Sequence, residues 1–232
     1  MAAPIEAPAA HGNGRARGRS GEPPKFVTGT ILRHILVMTG AGAVGLMAIF
    51  IGDLANMWFL SRLGDEAVIA AIGYASSILF FTISIGIGLS IAATSLVSPA
   101  IGAGYRVRAR RLSVNVHLAT FVVSLAFGTG VWLAASWMLT RLGASGRAHE
   151  LARDYLDILL PSLPLLAVAM TSAAVLRSVG DARRAMNVTL IIAIVNVILD
   201  PILIFGLDLG IRGAAIASTV ARLAALVVGL YG

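Results

Sequence analysis

The chain has 232 residues, of which 58% are hydrophobic and 12% charged, with a formal net charge of +7 and no cysteine. A mean hydropathy of +0.89 excludes an ordinary soluble domain. The absence of cysteine excludes disulfides and thiolate metal sites, so helix packing must hold the fold.

Residues 1–26 are rich in Gly, Pro, Ala and Arg, with Arg15, Arg17 and Arg19 close together and no apolar run. They read as a disordered basic tail. Neither the short hydrophobic core nor the small-residue cleavage site of a signal peptide precedes the first long span, so the tail is expected to stay attached. Arginines ahead of a membrane span set topology, and a nucleic-acid partner is not expected.

From residue 27 onward the sequence predicts a single all-α unit, residues 27–232. Apolar stretches fall at 35–60, 68–97, 113–139, 155–176, 186–206 and 213–232. Each is near the roughly 20 residues that cross a bilayer, which gives a six-transmembrane-helix bundle. Lys25 and Arg33, a loop with Arg106, Arg108, Arg110 and Arg111, and a loop with Arg177, Arg183 and Arg184 fall on one side of it. That side is expected to be cytoplasmic, with both ends of the bundle there. On the other side Arg62 is offset by Asp65 and Glu66. A longer loop there holds Arg141, Arg147 and Arg153 beside Glu150 and Asp154, and a short turn holds Asp208 and Arg212.

The fifth span carries the sharpest signal. In Asn196-Val-Ile-Leu-Asp-Pro201 a carboxylate sits inside an apolar segment, and an intramembrane acid is a functional candidate by default. Asn196 is one helical turn before Asp200, and Pro201 cannot donate to the Val197 carbonyl. Oxygens gathered in hydrocarbon need a proton, a cation or a polar partner. At about 1.5 Å per residue, Asp53 lies roughly 13 Å from Arg62, Asp200 roughly 12 Å from Asp208 and Ser218 roughly 9 Å from Arg212. The three share a depth in the outer half. Pro161 and Pro164 lie near that level, where they are expected to free the carbonyls of Asp157 and Leu160 and bend span four. Tyr155 and Asp157 read as interfacial residues, Arg222 as a structural residue of span six, and His34 and His117 as isolated packing residues.

In order along the chain, LANMWFLSRLGDEAVIAAIGYA, GLSIAATSLVSPAIGAG, DYLDILLPSLP, LRSVGDARRAMNV and NVILDPILIFGLDLGIRGAAIAST resemble the multidrug and toxic compound extrusion (MATE) transporters. The resemblance runs from residue 35 to the end and covers the amino-terminal six-helix lobe of a twelve-helix family. It implies an ion-coupled antiporter, driven by H+ or Na+, that exports drugs or toxic compounds across the inner membrane by alternating access. The implied partners are the lipid bilayer, a small-molecule substrate that can be cationic, and a second six-helix lobe in the same or another chain. No organic cofactor and no catalysed reaction are implied.

Carried over by position, Asp200 and Asn196 match residues that help bind the coupling ion, Na+ or a proton, and Ser218 matches the hydroxyl residue of span six. The family's span-one aspartate falls on Asn56, a departure, and Asp53, one turn earlier, is expected to supply the missing carboxylate. A lipid-linked saccharide flippase or polysaccharide exporter of the same superfamily is the alternative, and a non-transporting membrane module is a further one. An intramembrane aspartyl protease is set aside because the acids stand in IGDL and ILDP rather than in Tyr-Asp and Gly-x-Gly-Asp contexts.

Overall fold

A computed structural model describes residues 31–231. The basic tail, residues 1–26, lies outside the described residues. The helices are α1 (Ile31–Ser61), α2 (Glu66–Gly102), α3 (Arg106–Arg141), α4 (Gly146–Leu159), α5 (Leu163–Val179), α6 (Ala182–Pro201) and α7 (Gly210–Tyr231). A 3₁₀ turn, Leu160–Ser162, joins α4 to α5, and a π turn, Ile202–Gly206, extends α6. Six helical segments are long and apolar enough to cross a membrane: Leu36–Ser61, Glu66–Gly102, Arg106–Arg141, Gly146–Val179, Ala182–Gly206 and Gly210–Tyr231. The chain is a multi-pass membrane protein.

The helices outrun the apolar stretches that announce them. α3 starts at Arg106 and α4 at Gly146, so the arginine cluster expected in a loop forms the first turns of α3. Arg147, Glu150, Arg153 and Asp154 likewise lie on α4, Arg183 and Arg184 open α6, and Arg212 is on α7. Charged side chains at the membrane surface remain compatible with helix, because their backbone groups still need internal partners while the side chains reach water. Between α3 and α4 only residues 142–145 are left as a connection. Asp65 caps α2 by accepting from the Ala67 N–H at 3.0 Å, and Asp181 caps α6 by accepting from the Arg184 N–H at 3.1 Å.

Packing follows helical spacing and small residues. α2 buries Val68, Ala71, Ile72, Ala75, Ile78, Leu79, Thr82 and Gly86 along one stripe, against α3, α4 and α5. α4 and α5 occupy the centre of the bundle, and α1 packs chiefly on α6, which in turn packs on α7. Gly52 of α1 faces Ala193 of α6, whose Cα stands 3.6 Å from where a Cβ would be. At Gly213 the approach is closer still: a Cβ there would lie 2.6 Å from the Leu203 carbonyl oxygen. Glycine is what lets α7 close on the backbone of the π turn.

One end of the bundle gathers all of its tryptophans and most of its ion pairs. Arg62 stacks over Trp58 at 4.8 Å, Arg141 over Trp137 at 5.5 Å and Arg153 over Trp132 at 5.5 Å. Arg147 pairs with Asp65 at 2.9 Å, and Arg212 with Asp154 at 2.9 Å. Asp157 accepts from Trp132 Nε1 at 2.7 Å and pairs with Arg153 at 2.8 Å. The opposite end carries Arg106, Arg108, Arg110, Arg111, Arg177, Arg183 and Arg184, with Asp181 among them.

Candidate cation site

The chemistry concentrates where α1, α6, α4 and α7 meet. Asp200, in the last turn of α6, is fully buried. Pro201 offers no N–H to the Val197 carbonyl, and the helix continues as the π turn, with the Leu207 N–H donating to the Ile202 carbonyl at 3.0 Å. Such turns concentrate at functional positions. Gly213 seats α7 directly on this turn, at Leu203 and Ile204, just after Asp200.

Asn196 lies one turn before Asp200 on α6, and Asn56 comes from the level of α1 that follows the Gly52–Ala193 contact. Phe59 of α1 meets Phe205 of the π turn edge to face, ring centroids 6.3 Å apart, and closes the site toward the tryptophan end. Asn56 Oδ1, Asn196 Oδ1 and both carboxylate oxygens of Asp200 are buried without a hydrogen-bond donor. Four unpartnered acceptors in one membrane-embedded cluster are costly. They form a donor set of hard oxygens, the type that suits an alkali or alkaline-earth cation, and one that a protonated carboxyl would serve only in part.

Tyr155 of α4 completes the cluster. It is 5% exposed, its hydroxyl meets the Asn56 side chain, and it lies within electrostatic reach of Arg222, Asp200 and Asp53. The sequence reading put it at the membrane surface because span four was begun at residue 155. α4 starts nine residues earlier and turns Tyr155 into the bundle rather than toward lipid, between Arg153 and Asp157, which both contact Trp132. The signal available beforehand was its helical spacing from Leu159, four residues on.

Asp53 and Asn56 are sorted by packing: the Asp53 side chain is exposed on α1, whereas the Asn56 carbonyl oxygen points inward. Ser218 is half-buried on α7 and makes no hydrogen bond to Asp200 or to either asparagine. One turn after Ser218, buried Arg222 donates from Nη1 to the Leu159 carbonyl at 3.0 Å and to Ser162 Oγ at 2.7 Å.

The break in span four explains that contact. Pro161 and Pro164 remove two donors; the chain tightens to 3₁₀, and the Leu163 N–H donates to the Leu160 carbonyl. The Leu160 carbonyl, expected to be free, is thus taken, and it is the Leu159 carbonyl that turns to side chains. It accepts from Ser162 Oγ at 2.8 Å and from Arg222. A guanidinium held by neutral acceptors at a helix break is an uncommon use of a buried charge, and it pins α7 to the hinge of span four.

The MatE family pattern matches residues 41–202, more than half of the chain and including Asn56, Tyr155, Asn196 and Asp200. The chain belongs to the MatE family. Among curated relatives it is 32% identical over 210 residues to the FAD transporter of Shewanella oneidensis, covering 89% of this chain and 46% of that protein. It is 30% identical over 179 residues to the probable multidrug resistance protein NorM of Thermotoga maritima, covering 73% of this chain and 37% of that one. An outward-facing multidrug resistance MATE family transporter of the MOP superfamily superimposes with a TM-score of 0.85 at 24% identity, over 92% of this chain and 47% of that chain. The MatE fold of the lobe is therefore shared, and the chain spans less than half the length of the proteins it matches.

Proposed function

We propose that this MatE chain is the amino-terminal lobe of an ion-coupled antiporter that exports drugs or other toxic organic compounds across a bacterial inner membrane by alternating access. The observation that carries the reading is the cluster of four buried acceptor oxygens, on Asn56, Asn196 and Asp200, with no donor among them. A proton on Asp200 supplies one donor, whereas a Na+ ion takes hard oxygens as ligands without needing a hydrogen from any of them. Either ion neutralises the only carboxylate buried there, and both remain coupling candidates. Ser218 and Asp53 stand at the margin of the cluster and act there as secondary ligands or as polar entry points.

The second six-helix lobe, in the same or another chain, supplies the other wall of the substrate path. The arginine-rich end of the lobe is assigned to the cytoplasm by the excess of positive charge there. The relatives named for drugs and for FAD favour a soluble organic substrate over a lipid-linked saccharide.

The test uses the complete transporter in proteoliposomes, with ethidium efflux driven by an imposed Na+ gradient or an imposed pH gradient. Asp200→Asn is expected to abolish ion-driven efflux without reducing the amount of folded protein, because it keeps the shape of the side chain and removes its charge. Asn56→Ala is expected to be more damaging than Asp53→Asn. Efflux by Asp200→Asn at the unmutated rate, with the same ion dependence, would overturn the reading.

A further inference from the structure

Well away from Asp200, toward the arginine-rich end, α3 and α5 share a polar seam that the reading above does not use. Thr120 Oγ1 meets Thr171 Oγ1 at 3.3 Å, and one turn along His117 Nε2 lies 2.9 Å from Ser172 Oγ. Ser172, Thr171 and Thr120 are buried, and His117 is half-buried. His117 is 11 positions from the start of α3, about 16 Å along the helix, whereas Asp200 is 18 positions from the start of α6, about 27 Å. The two groups are therefore about 10 Å apart in depth.

Counting hydrogens at His117 gives a definite answer. Nδ1 lies 2.7 Å from the Ser113 carbonyl oxygen; a carbonyl only accepts, so Nδ1 carries a hydrogen. Ser172 Oγ lies 2.9 Å from the Val168 carbonyl oxygen, which also only accepts. The hydroxyl has a single hydrogen to give. When the imidazole is neutral, Ser172 donates to Nε2 and the Val168 carbonyl loses its side-chain donor. When Nε2 is protonated, it donates to Ser172 Oγ, and the hydroxyl hydrogen turns to the Val168 carbonyl. The same heavy-atom positions satisfy both states.

We propose that His117 and Ser172 form a proton-binding site of this lobe, separate from the Asp200 cluster, in which uptake of a proton at Nε2 turns the Ser172 hydroxyl from the imidazole to the Val168 carbonyl. One proton binds, one hydroxyl rotates, and no bond between heavy atoms changes. What changes on α5 is the donor to one carbonyl: in the protonated state the Val168 carbonyl has a side-chain donor one turn on, and in the neutral state it has none. α7 packs on the same serine: a Cβ at Gly229 would lie only 2.9 Å from Ser172 Cβ, so the two helices touch there without clearance.

Toward this end of the bundle the charged and titratable groups on the surrounding elements are Arg106, Arg108, Arg110 and Arg111 on α3, Arg177 on α5, Arg183 and Arg184 on α6, and Arg222 and Tyr231 on α7; Asp181, at the cap of α6, pairs with Arg184 at 3.3 Å. The carboxylate of α2, Glu66, is at the far end of that helix, and α3, α5 and α7 contain no acid. The imidazolium is thus held by the Ser172 hydroxyl and the Ser113 carbonyl, without a counter-carboxylate. This inference stands independently of the role proposed for Asp200.

The experiment is a pH titration of the purified chain, labelled with ¹⁵N-histidine in detergent micelles. Long-range ¹H–¹⁵N spectra distinguish the imidazolium from each neutral tautomer. The His117 signals are assigned by their loss in His117→Gln, or by elimination with His11→Gln, His34→Gln and His149→Gln. The expected result is an imidazolium that converts on raising the pH to a neutral ring with its hydrogen on Nδ1. Ser172→Ala should move the midpoint by about half a pH unit or more, since it removes the hydrogen-bond partner of Nε2. Ser172→Cys, which keeps a weaker donor, should give a smaller shift. A ring that holds one protonation state from about pH 5 to about pH 9 would overturn the proposal. So would a neutral ring protonated on Nε2, or a midpoint indifferent to both Ser172 variants.

Discussion

Span four and span one face their surroundings in opposite ways. In the most apolar stretch of Gly146–Val179, 67% of the residues are buried within the lobe, against 11% for Leu36–Ser61 and 22% for Ala182–Gly206. α4 and α5 touch protein on nearly every side, whereas α1 and α6 lean on each other and show most of their surface outward. The candidate cation site lies on the seam between these regions, with Asn56, Asn196 and Asp200 on the lightly packed pair and Tyr155 and Arg222 on the packed centre. A cation bound there, as proposed, would sit where α1 and α6 meet α4 and α7. Binding energy spent at a seam shifts position, while the same energy spent inside a close-packed core would meet its stiffness.

The contrast can be broken most severely at Gly213, where α7 touches the π turn. A methyl group there meets the Leu203 carbonyl oxygen at 2.6 Å and the Ile204 nitrogen at 3.0 Å, and backbone cannot step aside. Gly213→Ala is expected to cost about 1–3 kcal/mol, seen as a lower unfolding midpoint in detergent and as weaker protection of α6 by bound cation.

Arg222→Met is expected to have a smaller effect on stability, under about 1.5 kcal/mol, because a buried charge held by neutral acceptors is replaced by an apolar chain of similar length. The Leu159 carbonyl keeps its bond from Ser162. Hydrogen exchange should show the 3₁₀ segment opening more often once the tie to α7 is gone. A loss of stability as large as that of Gly213→Ala would mean that the packed centre depends on the guanidinium.

Gly45→Ala sharpens the comparison from the other side. Its Cβ would also meet an atom at 2.6 Å, but that atom is the Thr189 hydroxyl, on a rotatable side chain between two lightly packed helices. A change within about 0.5 kcal/mol is expected, by the same unfolding measurement. Equal effects at Gly45 and Gly213 would erase the distinction between the lightly packed pair and the place where α7 closes on it.

The spans were legible because membrane helices must be apolar for a set length, and all six were found near their places. Their ends were not, because arginines at the surface belong to helix as readily as to loop. Nor was it legible that Tyr155 turns into the bundle rather than toward lipid. Asp200 and Asn196 were legible as polar atoms out of place in an apolar segment. The choice between Asp53 and Asn56 was not, since residues three apart share a broad face and the angle at which α1 meets α6 decides which of them turns inward. The link from Arg222 to Leu159 was hidden for another reason: two prolines say that carbonyls will be freed, and the geometry of the tightened turn says which. The pairing of His117 with Ser172 spans 55 residues and carries no local pattern.

Each of the chain's 3 tryptophans lies beneath an arginine at one end of the bundle. Indole rings settle at the boundary between headgroups and hydrocarbon, so this rim acts as a waterline for the lobe. Its two ends therefore meet the headgroups by different chemistry, indole rings under guanidinium groups at one and long arginine side chains alone at the other.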